Sequence, residues 1–429
     1  MYNFKTTKLN NGLKIIKIPS AETDLVIIQI FMKLGHDLET KSILECGHFI
    51  EHLLSMFTST KYPDGKINRE QLSFKNIDLD AEIVNKNIKF VLEFHKKHSE
   101  FVIDLLVNSL LDFKIDSRMF KQEKNAVIEE LNEIIKDTDY KFEKKISSIL
   151  YKGHQRAFSE EIRLENTRKL KEPDVAKYYK TYFSTNNFII GIFGNLDTKH
   201  YNTMISQLSK MKNRSQCKYI PYTITIKEPI IYYKKKSQIS NLHIYFKLDY
   251  TLFDDKYYNL RALNQILSGD LNSLLLKKLR NENGLVYFCA TDFDLDNCEP
   301  GLSLFEINTL CNSKNLLKVI KYIFEILIDV KHNYISDQYI NAYKDDIDLT
   351  KIKEEFSKQP LEQLTVYSKY YLWDHPIKSF NDEFKYLKNI SKEEIQSLAN
   401  DIFQKQNVLV CYDGSKQMNT SIEELINNL

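Results

Sequence analysis

The sequence predicts an α+β protein built as two halves of similar size, and three observations point that way. At 429 residues the chain exceeds what one ordinary core accommodates. Hydrophobic residues make up 43%, and 60 basic side chains nearly cancel 58 acidic ones, the balance of a soluble globular protein. Strands and helices come in segregated runs, in the same order twice, rather than as a strand–helix–strand alternation.

In the first half, apolar runs at Leu13–Ile18 and Leu25–Leu34 read as strands, followed by a short apolar helix around residues 48–54. Ile88–Phe94 is strand-like; Glu100–Phe113 and Ser117–Lys136 are helical; Phe188–Gly194 closes the half as a strand. The polar stretch Lys212–Pro221 reads as the linker, giving expected domains 1–212 and 220–429. The second half repeats the order. Strands at Ile230–Lys234 and Leu242–Leu248 precede helices near Lys256–Leu267 and Leu271–Asn281, then strands at Leu285–Thr291 and Leu302–Ile307, more helices, and a last strand Asn407–Tyr412.

The chemistry concentrates in His48-Phe49-Ile50-Glu51-His52. Helical residues four apart are separated by about 6 Å of rise and about 40° of rotation. Both imidazoles therefore project from one face and can share a metal at about 2.0–2.1 Å. Glu51 leans over the same face, where a carboxylate can take a proton from a metal-bound water. The order inverts the His-Glu-x-x-His motif and is the inverzincin signature. The flanks Leu44, Ile50, Leu53, Leu54 and Phe57 make the helix apolar nearly all round, so it should be buried. Two histidines and a carboxylate in such a place need a partner.

A catalytic zinc keeps three protein ligands and an open position. Lys121–Asp137 is strongly helical, with Ala126, Val127, Leu131 and Ile134 as its apolar stripe. Glu130 falls within that stripe, whereas Glu129 shares a face with Gln122, Asn125, Glu133 and Lys136. This places Glu130 as the third ligand. Glu123 lies about two turns, or about 10 Å, below it on the same face, a distance suited to support rather than ligation.

These phrases resemble the pitrilysin/insulinase family of zinc metallopeptidases, in the half-length form of the mitochondrial processing peptidase subunits. Leu9-Asn10-Asn11-Gly12-Leu13 matches the family's opening, His48 to His52 its His-Phe-Leu-Glu-His, and Glu123 with Glu130 its glutamate pair spaced by seven. The resemblance implies two similar α+β domains, each an antiparallel sheet with helices packed on it, and one Zn2+ per chain. It also implies an endopeptidase acting on unfolded peptides or protein segments in a closed chamber, with Glu51 as general base. A non-catalytic partner or scaffold subunit is the alternative; such subunits normally lose motif residues that this chain keeps.

Arg280-Asn-Glu-Asn-Gly284-Leu285-Val286-Tyr287 ends a helix and starts a strand, where a cation and a glycine serve as caps. The phrase is similar to the family's R-x-x-x-G-L-x-Y, which implies that Arg280 and Tyr287 contact the substrate and its developing oxyanion. The chain departs from the family on the edge strand that pairs with substrate. There Asn76–Ile83 retains only Ala81. It departs again before the motif, where Glu45-Cys46-Gly47 replaces a Gly-Leu-Ala phrase. Cys46 reads as a packed thiol.

A net charge of +2 gives no support for nucleic-acid binding, and no apolar run approaches the ~18 residues of a membrane span. The N-terminus shows neither a signal core nor a presequence, and six cysteines without C-x-x-C spacing read as free thiols. A cytoplasmic location is expected. Relatives enclose their chamber with four such domains, which implies a homodimer or a related non-identical partner.

Overall fold

The computed structural model describes residues 3–214, 216–357 and 360–429. The chain divides into two compact units. One is Met1–Ile220 with Lys358–Ile377; the other is Pro221–Ser357 with Lys378–Leu429.

In the first unit, strands β1 (Lys5–Lys8), β2 (Lys14–Pro19), β3 (Leu25–Met32), β4 (Asp78–Ile83), β5 (Ile88–His95) and β6 (Phe188–Gly194) form a sheet ordered β1-β2-β6-β3-β5-β4. Its pairs are antiparallel except β2 with β6. That strand returns after a long helical excursion and so enters beside β2 in the same direction. The continuous apolar run of β3 follows from burial on both faces. Val26, Ile28, Ile30 and Met32 face one core, and Ile27 and Phe31 the other.

The first core is covered by helices that include α1 (Cys46–Leu54), α2 (Ser117–Lys136) and α3 (Glu160–Lys169). The opposite face is covered by α4 (Pro360–Leu372), whose Leu364, Tyr367 and Leu372 pack on Ile16, Ile18, Ile27, Phe31 and Phe193. The expected domain 220–429 is corrected here: residues 358–377 belong to the first unit. The reason is the sheet's second apolar face, which must be covered by something. Gly191 permits the close approach, since a β-carbon there would stand 2.9 Å from Ser368 Oγ and 3.0 Å from Leu364 Cδ1. Gln29 Nε2 donates to Thr365 Oγ1 at 2.7 Å, and Lys14 Nζ pairs with Asp374 at 2.6 Å, fixing the helix over the sheet.

In the second unit, β7 (Ile230–Lys234), β8 (Ile239–Lys247), β9 (Val286–Asp294), β10 (Leu304–Asn312) and β11 (Val408–Gly414) are ordered β7-β11-β8-β10-β9. Again the closing strand is parallel to the first, and the other pairs are antiparallel. Helices Lys256–Ser268, Leu316–His332 and Lys392–Ile402 bury Leu263, Ile323 and Leu398 in its core. Among the described residues no helix is long and apolar enough to cross a membrane.

Candidate metal centre

Helix α1 starts where the chain turns through Glu45, in the left-handed region at φ 72°. Its first amides are capped from a distance. Gly47 N–H donates to Glu39 Oε1 at 2.7 Å and Glu45 N–H to Glu39 Oε2 at 3.1 Å, the favoured place for a carboxylate. Phe49, Ile50 and Leu53 are buried beneath the helix, so its other face presents His48, Glu51 and His52, each mostly but not wholly covered.

Each imidazole is held from behind by a carboxylate. His48 Nδ1 lies 2.9 Å from Glu45 Oε2, and His52 Nδ1 lies 2.8 Å from Glu123 Oε2 on α2. A carboxylate accepts, so both Nδ1 atoms carry protons and both Nε2 atoms turn their lone pairs outward. Those Nε2 atoms are 3.2 Å apart. Glu130 closes the group, with Oε2 at 3.2 Å from His48 Nε2 and Oε1 at 3.8 Å from His52 Nε2. Ligand atoms of His48, His52 and Glu130 all lie within 4.8 Å of one another. Three acceptors facing one another need a cation between them, either a proton or a metal. Burial draws the His48 imidazole down, but hydrogen bonds to Glu130 and Glu45 outweigh it and push it up to about 10. The bond to His48 holds the Glu130 carboxyl below its ordinary range against the opposing effect of burial.

Glu51 Oε2 stands 3.6 Å from His52 Nε2. Burial pushes its carboxyl up, with the two histidines opposing. It is thereby a better base than an exposed glutamate.

The stripe on α2 needs correction. Val127 and Leu131 are buried, but Ala126 is exposed and Ile134 is 48% exposed, so Glu130 stands at the stripe's open margin with half its side chain exposed. The helix buries the sector of Phe120, Val127 and Leu131 against α1 and the core. Beside that sector the surface opens: Ile134, next to the buried Leu131, walls a cavity of about 350 Å³ that also takes in His48 and Glu45. Glu129 is exposed.

Ala81 lies on β4, at the sheet's edge. Its side chain turns inward with Leu79 and Ile83, while the alternate residues Asp78, Asp80 and Glu82 are exposed and the strand's outer edge presents main chain. Arg280 and Tyr287 belong to the second unit and meet each other, the guanidinium 4.8 Å from the ring centre, with Tyr287 as a residue 79% exposed. Between them Gly284 takes a left-handed φ of 58°, ending a widened helical turn at Lys277–Glu282. Cys46 is fully buried, and burial pushes its thiol up.

The family profile described as Insulinase (Peptidase family M16) matches residues 14–160, and the one described as Peptidase M16 inactive domain matches residues 169–347. The chain belongs to peptidase family M16. This M16 chain is 20% identical to the uncharacterized zinc protease YmxG of Bacillus subtilis over 95% of its own length and 98% of that protein's. It is also 20% identical to the mitochondrial-processing peptidase subunit beta of Saccharomyces cerevisiae, over 79% and 76% of the two chains. Its fold matches a peptidase M16 inactive domain from Pseudomonas fluorescens with TM-score 0.84 at 13% identity, covering 97% and 99% of the chains. The whole chain also overlays half of the periplasmic protease PqqL of Escherichia coli, with TM-score 0.81 at 13% identity.

The insulinase match contains His48, Glu51, His52, Glu123 and Glu130, together with Glu39 and Glu45, whereas Arg163 lies just beyond it. Sequence reasoning did not single out Glu45, Glu39 or Arg163 as part of the group. Glu45 precedes His48 by three residues, a helical spacing that was available as a signal; Arg163, whose Nη1 is 2.6 Å from Glu45 Oε1, had none.

Proposed function

We propose that this chain is a zinc endopeptidase that hydrolyses unfolded peptides or protein segments. One observation carries the reading: two imidazoles locked by carboxylates at Nδ1 aim their Nε2 atoms, together with Glu130, at one point beside the mostly covered Glu51. Two nitrogens and one carboxylate suit zinc, and three protein ligands leave an open position. When bound there, zinc would polarise the scissile carbonyl and acidify the attacking water. Glu51 takes the proton from that water and returns it to the leaving amine. The free edge of β4 receives the peptide as an added strand, through main-chain hydrogen bonds that tolerate the altered side chains around Ala81.

A non-catalytic scaffold subunit is the second reading, favoured by the fold shared with a chain of complex III2 from Candida albicans (TM-score 0.77, 11% identity). Elemental analysis of the purified chain, with a mixed peptide library read by mass spectrometry, separates the two. One zinc per chain and chelator-sensitive cleavage are expected; bound zinc with no cleavage at any peptide would favour the scaffold.

The chain matches half of PqqL, and a second copy would supply the other half of the enclosure as an isologous dimer. Arg280 and Tyr287 of one copy would then donate to the oxyanion formed at the other. Glu51→Gln and Arg280→Ala chains, each inactive alone, should regain activity when mixed. Random exchange makes up to about half of the dimers mixed, with one intact site in two, so recovery approaches about a quarter of wild type. Background activity after exchange shown by mass spectrometry would point to a site built within one chain or to a related non-identical partner.

A further inference from the structure

We propose that Glu45 is a positioning residue for His48: its carboxylate, clamped by Arg163, fixes the imidazole so that Nε2 is presented as a metal ligand. The inference rests on the metal-centre reading and deepens it, adding the Arg163 clamp and the strained backbone of Glu45 as the means by which His48 is held.

The first observation is the backbone. Glu45 has φ 72° and ψ 0°, a conformation that glycine adopts freely and other residues rarely. A glutamate persists there only where its surroundings hold it. The second observation is what holds it. The residue is 1% exposed. Oε2 receives His48 Nδ1 at 2.9 Å, Oε1 receives Arg163 Nη1 at 2.6 Å, and its own N–H donates to Glu39 Oε2 at 3.1 Å. Arg163, on α3, is itself buried and lies 3.7 Å from Glu39. The third observation is that the helix needs no carboxylate at this point, because Glu39 already caps its first amides.

Each oxygen of Glu45 therefore has one task. Arg163 takes one and neutralises the charge; the other sets the ring plane and tautomer of His48. Glu123 does the same for His52 from α2, so each histidine has its own carboxylate, drawn from a different part of the chain.

The test uses the full-length chain, with zinc affinity measured by chelator competition and the metal-free fold followed by circular dichroism and thermal melting. Glu45→Gln keeps the shape, but its amide group must face either Arg163 or His48, so one hydrogen bond is lost. Zinc affinity is expected to fall about 10- to 100-fold. Glu45→Gly relieves the backbone and removes the carboxylate, and should lose at least as much affinity. A merely structural Glu45 gives the reverse pattern: a lower melting temperature with affinity unchanged in the folded chain. Folded variants that bind zinc within twofold of wild type would overturn the proposal. If Glu45→Gly does not fold, Glu45→Gln alone decides. A wild-type chain that binds no zinc overturns the metal-centre reading and this inference together; tight wild-type binding with unchanged variants overturns the inference alone.

Discussion

Glu51→Gln is expected to leave the chain folded and able to take up zinc while peptide hydrolysis falls at least about a hundredfold. The side chain sits beside the histidines, 3.6 Å from His52 Nε2, and is outside the ligand group of His48, His52 and Glu130. Its replacement by an amide of the same size keeps the packing and removes the proton acceptor. Burial already disfavours its charge, so the neutral amide is no burden to the fold. Zinc content and turnover, measured on one preparation, separate the two roles. A Glu51→Gln chain that purifies without metal would make Glu51 a ligand and sink the assignment.

Glu130→Gln should weaken zinc binding by more than about a hundredfold, because a carboxylate facing both Nε2 atoms becomes a neutral amide. The metal-free chain should change too, because His48 loses the Glu130 carboxylate that helps keep it protonated, and its imidazole should titrate lower than in wild type. Glu129→Gln, on the exposed side of the same turn, should match wild type in both respects. Parallel zinc titrations of the two variants decide the matter, and equal losses would mean that helical position does not distinguish the two glutamates.

The sequence was most legible where periodicity and local chemistry coincide. Ser117–Lys136 reads as a helix from its pattern and is one over those residues; Phe188–Gly194 and Ile230–Lys234 are strands over the expected spans. Strand β1 was not legible, because Lys5-Thr6-Thr7-Lys8 is exposed throughout and has no apolar alternation to betray it. The stripe on α2 misplaced the buried sector because Ile134, which walls a cavity, and Ala126, which is exposed, look in sequence like residues that fill a core. The Glu45–Arg163 pair joins positions 118 residues apart, and no local pattern links a strained backbone turn to an arginine on a distant helix. The allegiance of residues 358–377 was hidden for the same reason: an amphipathic helix shows that it has an apolar face, not which sheet that face will meet.

That last helix has a consequence for synthesis. The first unit's sheet is complete once Gly194 has been made, yet the helix covering Ile16, Ile27, Phe31 and Phe193 is encoded only at Pro360–Leu372. At ordinary elongation rates the nascent chain carries that bare apolar face for roughly 10 to 30 s. The newborn protein is therefore exposed to misassociation for as long as the ribosome takes to deliver its cover, and a product cut short near residue 220 would never receive it.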